Sequence, residues 1–131
     1  MKISGILNSD ISRVLSYMGH TDTICIADCG LPVPDGVERI DLALKFGTPT
    51  FVETLTEVAK NMKVEKIILA EEIKLANPEI IKDVITLFPN LEISFEPHDD
   101  LKKLTKECKA VIRTGENTPY ANIILQSDCI F

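Results

Sequence analysis

The feature that most constrains this chain is an alternation of short, strand-length apolar runs with longer segments whose apolar residues recur at helical spacing. Ile24-Cys25-Ile26-Ala27, Lys66-Ile67-Ile68-Leu69-Ala70, Leu91-Glu92-Ile93-Ser94-Phe95 and Ala110-Val111-Ile112-Arg113 are the strand-like runs. Between them lie helical stripes: Ile11, Val14, Leu15 and Met18; then Phe51, Leu55, Val58, Ala59 and Met62; then Ile81, Val84, Ile85 and Phe88; then Leu101, Leu104 and Cys108. Strands that alternate with helices predict β-α-β units, because parallel neighbours need a crossover long enough to hold a helix. The expected fold is therefore α/β, a three-layer α/β/α arrangement with a largely parallel sheet and helices on both faces. At the C-terminus, Asn122 to Leu125 and Cys129-Ile130-Phe131 flank Gln126-Ser127-Asp128, which predicts an antiparallel pair in the form of a terminal hairpin.

The ends of these elements carry recognisable chemistry. Asn8-Ser9-Asp10 offers side-chain oxygens to start the first helix, and Gly19 is placed to end it in the left-handed conformation. Thr48-Pro49 and Asn77-Pro78 read as cap-then-proline starts, and Asp99 or Asp100 as the cap of the last helix. Leu31-Pro32-Val33-Pro34-Asp35-Gly36 has two prolines that remove ladder donors and must be a shaped loop. Val37 to Leu44 alternates loosely and reads as an extended segment or short strand. No linker or repeat interrupts the 131 residues, of which 45% are hydrophobic, so residues 1–131 are expected to form a single domain.

A formal net charge of −6, with no clustering of Lys and Arg, argues against nucleic acid or an anionic membrane as partner. No apolar run approaches the roughly 20 residues that span a bilayer, and Met1-Lys2-Ile3-Ser4-Gly5 lacks the apolar core of a signal peptide, so the expected location is cytoplasmic. Cys25, Cys29, Cys108 and Cys129 suit that compartment as reduced thiols, and their spacing is not a metal signature.

Titratable and polar groups gather around two stretches. His20 enters the strand Ile24–Ala27 and Asp28 leaves it, an imidazole and a carboxylate suited to acid/base work. Taken alone, each has an ordinary explanation: a histidine after a helix-terminal glycine is commonly a surface or capping residue, and an aspartate before glycine commonly caps a turn. His98, before Asp99-Asp100, likewise suits a solvated helix start. In Arg113-Thr114-Gly115-Glu116-Asn117-Thr118-Pro119-Tyr120-Ala121-Asn122, Tyr120 and Asn122 bring a phenol and an amide, donor and acceptor types that match sugar hydroxyls, while Arg113 and Glu116 are placed to pair or to brace the loop. The glycines form no dinucleotide or phosphate-binding fingerprint. In a parallel α/β sheet, ligands sit beyond the carboxyl ends of the strands. Asp28 and the 114–122 loop satisfy that rule, but His20 lies at the other end, roughly 25 Å from Asp28 if all eight steps were extended.

Several long, ordered motifs bear a family resemblance. Gly5-Ile6-Leu7-Asn8, Gly19-His20-Thr21-Asp22, Ile26-Ala27-Asp28-Cys29-Gly30-Leu31-Pro32-Val33-Pro34-Asp35-Gly36, Ile40-Asp41-Leu42-Ala43-Leu44 and the Arg113–Glu116 to Tyr120–Asn122 block together resemble the D-ribose pyranase family from end to end. Gly-Leu-Pro-Val-Pro points to the ribose rather than the fucose mutarotase branch, and Cys29 stands where a small residue such as alanine is expected. The resemblance implies an isomerase of carbohydrate metabolism that interconverts pyranose and furanose D-ribose without a cofactor, on the path of ribose catabolism. It implies His20 as proton donor and Asp28, His98, Tyr120, Ala121 and Asn122 as sugar-binding positions. It also implies a ring-like homo-oligomer, a decamer or octamer, with sites between subunits, which would let His20 and the C-terminal loop meet across an interface. A mutarotase for another sugar such as fucose, and a non-catalytic sugar-binding subunit, are the alternatives.

Overall fold

The computed structural model describes residues 1–131 and contains a six-stranded sheet in the order β2-β5-β1-β6-β3-β4. Its strands are β1 (Thr23–Ala27), β2 (Glu38–Asp41), β3 (Val64–Ala70), β4 (Ile93–Glu96), β5 (Ala110–Arg113) and β6 (Ile123–Ser127). The helices are α1 (Ser9–Tyr17), α2 (Phe51–Asn61), the short α3 (Ile73–Ala76), α4 (Pro78–Leu87) and α5 (His98–Leu104), the last running into a 3₁₀ turn over Thr105–Glu107. No helix is long and apolar enough to cross a membrane.

Strand periodicity sorts the core into two layers. Ile24 and Ile26 of β1, Ile67 and Leu69 of β3, Ile112 of β5, and Ile123 and Leu125 of β6 point into the larger core with Ile11 and Val14 of α1, Phe51, Leu55 and Val58 of α2, and Ile80 and Val84 of α4. The intervening residues Cys25, Ala27, Ile68, Ala70, Val111 and Ile124 face the opposite layer, where Leu101 of α5 and Cys108 cover them. That alternation is the pleat at work, since successive side chains leave a strand on opposite faces. Helices on both faces of a mostly parallel sheet are the expected architecture. A fully buried aromatic such as Phe51 contributes about 1.5–3 kcal/mol to holding its layer.

The C-terminal strand departs from the hairpin. Residues 128–131 form no strand, and β6 instead inserts between β1 and β3, antiparallel to both, pairing Ile26 with Ile123 and Leu69 with Ile123. Pairing both of its edges in mid-sheet satisfies more backbone groups than a two-stranded ribbon at the margin, and its alternating apolar residues supply both layers. The antiparallel sense also brings the amino end of β6 to the carboxyl ends of β1 and β3.

Four helix ends differ from their sequence signals. α1 stops at Tyr17 with Met18 as its cap, and the left-handed residue is Thr21 at φ 72°, while Asp22 Oδ2 accepts from the Gly19 backbone N–H at 2.9 Å. α2 begins after Thr50, whose Oγ1 accepts from Glu53 N at 3.0 Å, so Pro49 lies outside the helix. α5 receives no cap from Asp99 or Asp100: the Glu72 carboxylate, from the turn after β3, accepts the His98 N–H at 2.9 and 3.1 Å. Pro78 does open α4, but the Asn77 side chain is turned away to the 118–119 loop.

Candidate functional site

Asp28 leaves β1 beside Asn122, which immediately precedes β6, and the antiparallel register of those strands makes the two side chains neighbours. They bind each other twice: Asn122 Nδ2 donates to Asp28 Oδ2 at 2.9 Å, and the Asp28 backbone N–H donates to Asn122 Oδ1 at 2.9 Å. Asp28 Oδ1 accepts from the backbone N–H groups of Gly30 and Leu31, each at 2.9 Å. The aspartate thus does cap a turn, as its sequence context suggests. The same bonds hold its carboxylate at one orientation on the rim of a cavity. That cavity has a volume of about 360 Å³ and is lined by Asp28, Gly30, Leu31, His98, Lys102 and Tyr120 among others.

His98, the first residue of α5, reaches this cavity from the other side. Its ring meets the Tyr120 ring edge-on, with centroids 5.0 Å apart and an interplanar angle of 83°. Its Nδ1 is buried and has no hydrogen-bond partner. A buried polar atom left unpaired is costly, so this nitrogen gains from any partner that a small shift of the cavity-lining ring would bring to it. Tyr120 is held in the left-handed conformation at φ 57°, which turns the chain sharply before Ala121 and Asn122, and Asn122 N donates to Tyr120 O at 2.8 Å. Asn122 is fully buried, and Ala121 is buried in the larger core. Asp28, His98, Tyr120 and Asn122 therefore converge at one end of the sheet.

The loop that carries Tyr120 is braced by residues of three other elements. Glu116 is buried; its Oε1 accepts from the Phe51 N–H at 3.0 Å, at the start of α2, and its Oε2 accepts from Thr118 Oγ1 at 3.0 Å. Cys29 N donates to the Glu116 carbonyl at 2.8 Å, which locks the loop to the turn after Asp28. Asn77 Nδ2 donates to Thr118 Oγ1 and to the Pro119 carbonyl. Arg113 does not pair with Glu116; its Nε donates to the Cys29 carbonyl at 3.1 Å and its Nη1 lies 3.0 Å from Asp41 Oδ2. Gly115 permits a close crossing, since a Cβ there would lie 2.3 Å from the Thr48 carbonyl oxygen.

His20 lies elsewhere. It is exposed at the amino end of β1, separated from Asp28 by the whole strand, about 13 Å for the four steps from Thr23 to Ala27. Its Nε2 is 3.0 Å from Glu65 Oε2 near the start of β3, and Asp128, just past β6, completes a group whose ligand atoms lie within 4.8 Å of one another. One imidazole and two carboxylates are a donor set that suits a divalent cation, but Glu65 is already engaged by His20 and Gln126, and Asp128 accepts from the Cys129 N–H. Glu65 sits below the usual carboxylate range, first because the Gln126 amide donates to it and then because His20 does.

Glu65 and Glu72 look in sequence like ordinary surface charges, because each acts on a partner far along the chain, and Lys102, whose ion pair is with Asp99 of its own helix, shows its place only by lining the cavity. Glu72 positions His98 from 26 residues away. The thiols take no part in the cluster. Burial pushes Cys25 well up from its ordinary value and Cys108 up to about 11.

Comparison with known proteins gives one consistent result. Residues 1–130 match the model of the RbsD / FucU transport protein family. D-ribose pyranase of Exiguobacterium sibiricum is 56% identical over 131 residues, covering 100% of both chains, and D-ribose pyranase of Bacillus cytotoxicus is 51% identical with the same coverage. The solved structure of Bacillus subtilis RbsD complexed with D-ribose superposes with a TM-score of 0.97 at 55% identity, covering 100% of both chains.

Proposed function

From its membership of the RbsD / FucU transport protein family, to which this chain belongs over residues 1–130, we infer that it interconverts the pyranose and furanose ring forms of D-ribose. The full-length relation to D-ribose pyranases supports the reaction, and one observation supports the place: the unpartnered, buried Nδ1 of His98 beside the fixed Asp28 carboxylate. A cavity of about 360 Å³ holds a pentose with room to change shape. The 131 residues act as one domain in this reading, in the cytoplasm.

Ring interchange requires one C–O bond to break and another to form at the same carbon. A base takes the proton of the anomeric hydroxyl while an acid protonates the pyranose ring oxygen; C1–O5 breaks and leaves an open-chain aldehyde and a free 5-hydroxyl. Rotation brings the 4-hydroxyl to C1, where it closes the five-membered ring, losing its proton as the carbonyl oxygen gains one. Each step is a proton transfer coupled to addition or elimination, so the balance is complete with no oxidant or reductant. His20 serves as the proton donor because an imidazole exchanges protons in both directions near neutrality.

Asp28 accepts a sugar hydroxyl with its remaining lone pairs, since its orientation is already fixed by Asn122 and the turn. His98 Nδ1 and the Tyr120 phenol bind further hydroxyls, and Asn122 holds Asp28 rather than reaching freely into the cavity. The backbone of Ala121 carries the turn between them. His20 cannot meet this cavity within one chain, so the working site is assembled in a ring-like homo-oligomer, with His20 of a second copy facing the Asp28 cavity.

Magnetisation-transfer NMR of D-ribose tests the reading directly. The protein accelerates exchange between ring forms while their equilibrium populations stay constant, and His20→Ala lowers the exchange rate by about 10²–10⁴-fold. Saturable ribose binding with no change in exchange would identify a binding subunit instead, and full activity in His20→Ala would remove His20 from the mechanism.

A further inference from the structure

His20 stands at the end of a short chain of side chains that runs across the sheet. Glu65 near the amino end of β3 presents Oε2 to His20 Nε2 at 3.0 Å, and its Oε1 is taken by the side-chain amide of Gln126 on β6. Glu65 is thus gripped from two sides. Held below the usual carboxylate range by Gln126 and then by His20, it is ionised at neutral pH, and an ionised carboxylate only accepts. The imidazole nitrogen facing it has to carry the hydrogen. Of the other charged groups nearby, Asp128 has an oxygen within 4.8 Å of both His20 and Glu65 but makes no hydrogen bond to the ring and accepts instead from the Cys129 N–H at 2.8 Å, and Asp22 is engaged by the Gly19 N–H and Lys109.

We propose that Glu65 is a positioning residue that fixes His20 as the Nε2–H tautomer and leaves Nδ1 as the nitrogen that exchanges protons with the sugar. The proposal rests on the reading of His20 as proton donor. With Nε2–H committed to Glu65, Nδ1 holds a lone pair in the neutral ring and a hydrogen in the cationic ring. It therefore accepts a proton from one oxygen and returns it to another without the ring turning over. The Gln126 amide holds Glu65 in place, and His20 remains about half exposed, open to a second copy. A solvent-exposed ion pair contributes little to stability, so the value of this contact lies in where it puts the hydrogen.

Glu65→Gln separates this role from a merely structural one. Gln126 still claims the acceptor oxygen of the introduced amide, so its NH₂ group faces His20 and donates to it, and neutral His20 must carry its hydrogen on Nδ1. Glu65→Ala removes the acceptor altogether. Only two histidines are present, so two-bond ¹H–¹⁵N correlation spectra assign His20 by comparison with His20→Ala. With the ring neutral, the expected result is the Nε2–H tautomer in the wild type, the Nδ1–H tautomer in Glu65→Gln, and both in Glu65→Ala. Alongside, kcat for ring exchange falls about 10²-fold in Glu65→Gln while KM stays within about twofold, because the sugar-binding cavity is untouched. A wild-type protein that does not accelerate exchange overturns the isomerase reading itself. An active wild type whose His20 tautomer is the same in both variants overturns the role of Glu65 alone, whether or not kcat falls.

Discussion

Combining two inactive variants in one assembly tests where the site is built. His20→Ala keeps the Asp28 cavity, and Asp28→Asn keeps His20; in the latter the amide still accepts from Gly30 and Leu31 but sets a donor against Asn122 Nδ2. Each variant alone loses about 10²-fold or more of the ring-exchange rate. If every cavity takes its histidine from a second copy, a mixed oligomer contains cavities with intact Asp28 facing an intact His20. With equal, random incorporation these are the product of one half and one half, so about a quarter of the wild-type rate returns in a symmetric closed assembly. If cavity and histidine belonged to the same chain, every site would carry one lesion and the expected recovery would be nil. The separation of the two residues by the full length of β1 is what makes the first outcome the prediction. Co-expression of differently tagged variants, tandem purification and magnetisation-transfer NMR of ribose give the measurement. A mixed oligomer of verified one-to-one composition with no recovered activity would refute the shared site.

Two further predictions concern the frame around the cavity. Glu116→Ala strands the buried Phe51 N–H and frees Thr118, so thermal or denaturant unfolding should show a loss of about 1–3 kcal/mol, and ribose affinity should fall because the Tyr120 loop loses its anchor. Among the thiols, half-buried Cys29 and Cys129 should react with a maleimide in the native protein at pH 8. Cys25 and Cys108 should react only after denaturation, because burial disfavours their thiolates and Cys108 does not ionise until about pH 11. Mass mapping of the labelled peptides checks both halves of that statement.

The runs of β1, β3, β4, β5 and β6, the four longer helices and the layers on both faces of the sheet were legible in the linear pattern, because apolar periodicity is a local property and burial follows from it directly; the short α3 was not, and β2 showed only as a loosely alternating stretch. The alternation of Ile24, Ile26 against Cys25, Ala27 already distinguishes the two faces of β1. The motifs around Asp28 and Tyr120–Asn122 were legible too, as turn chemistry and as family likeness. Less local facts were hidden. Nothing in residues 122–131 says that β6 inserts between β1 and β3 rather than turning back on itself, since the same apolar alternation serves a hairpin and a central strand equally. Helix caps supplied from a distance, as Glu72 supplies one to His98 and Glu116 to Phe51, leave no signature in the segments they cap.

The sequence by itself determined the α/β class, the candidate residues and the reaction they suit, because residue chemistry and short-range spacing are written in the chain. Tertiary structure alone decided the grouping. Antiparallel insertion of β6 places Asn122 against Asp28 and, at the strand's other end, Gln126 beside Glu65 and His20. One pairing choice in the middle of the sheet thus builds a sugar-sized cavity at one end and a tethered histidine at the other, and the distance between them follows from the length of β1.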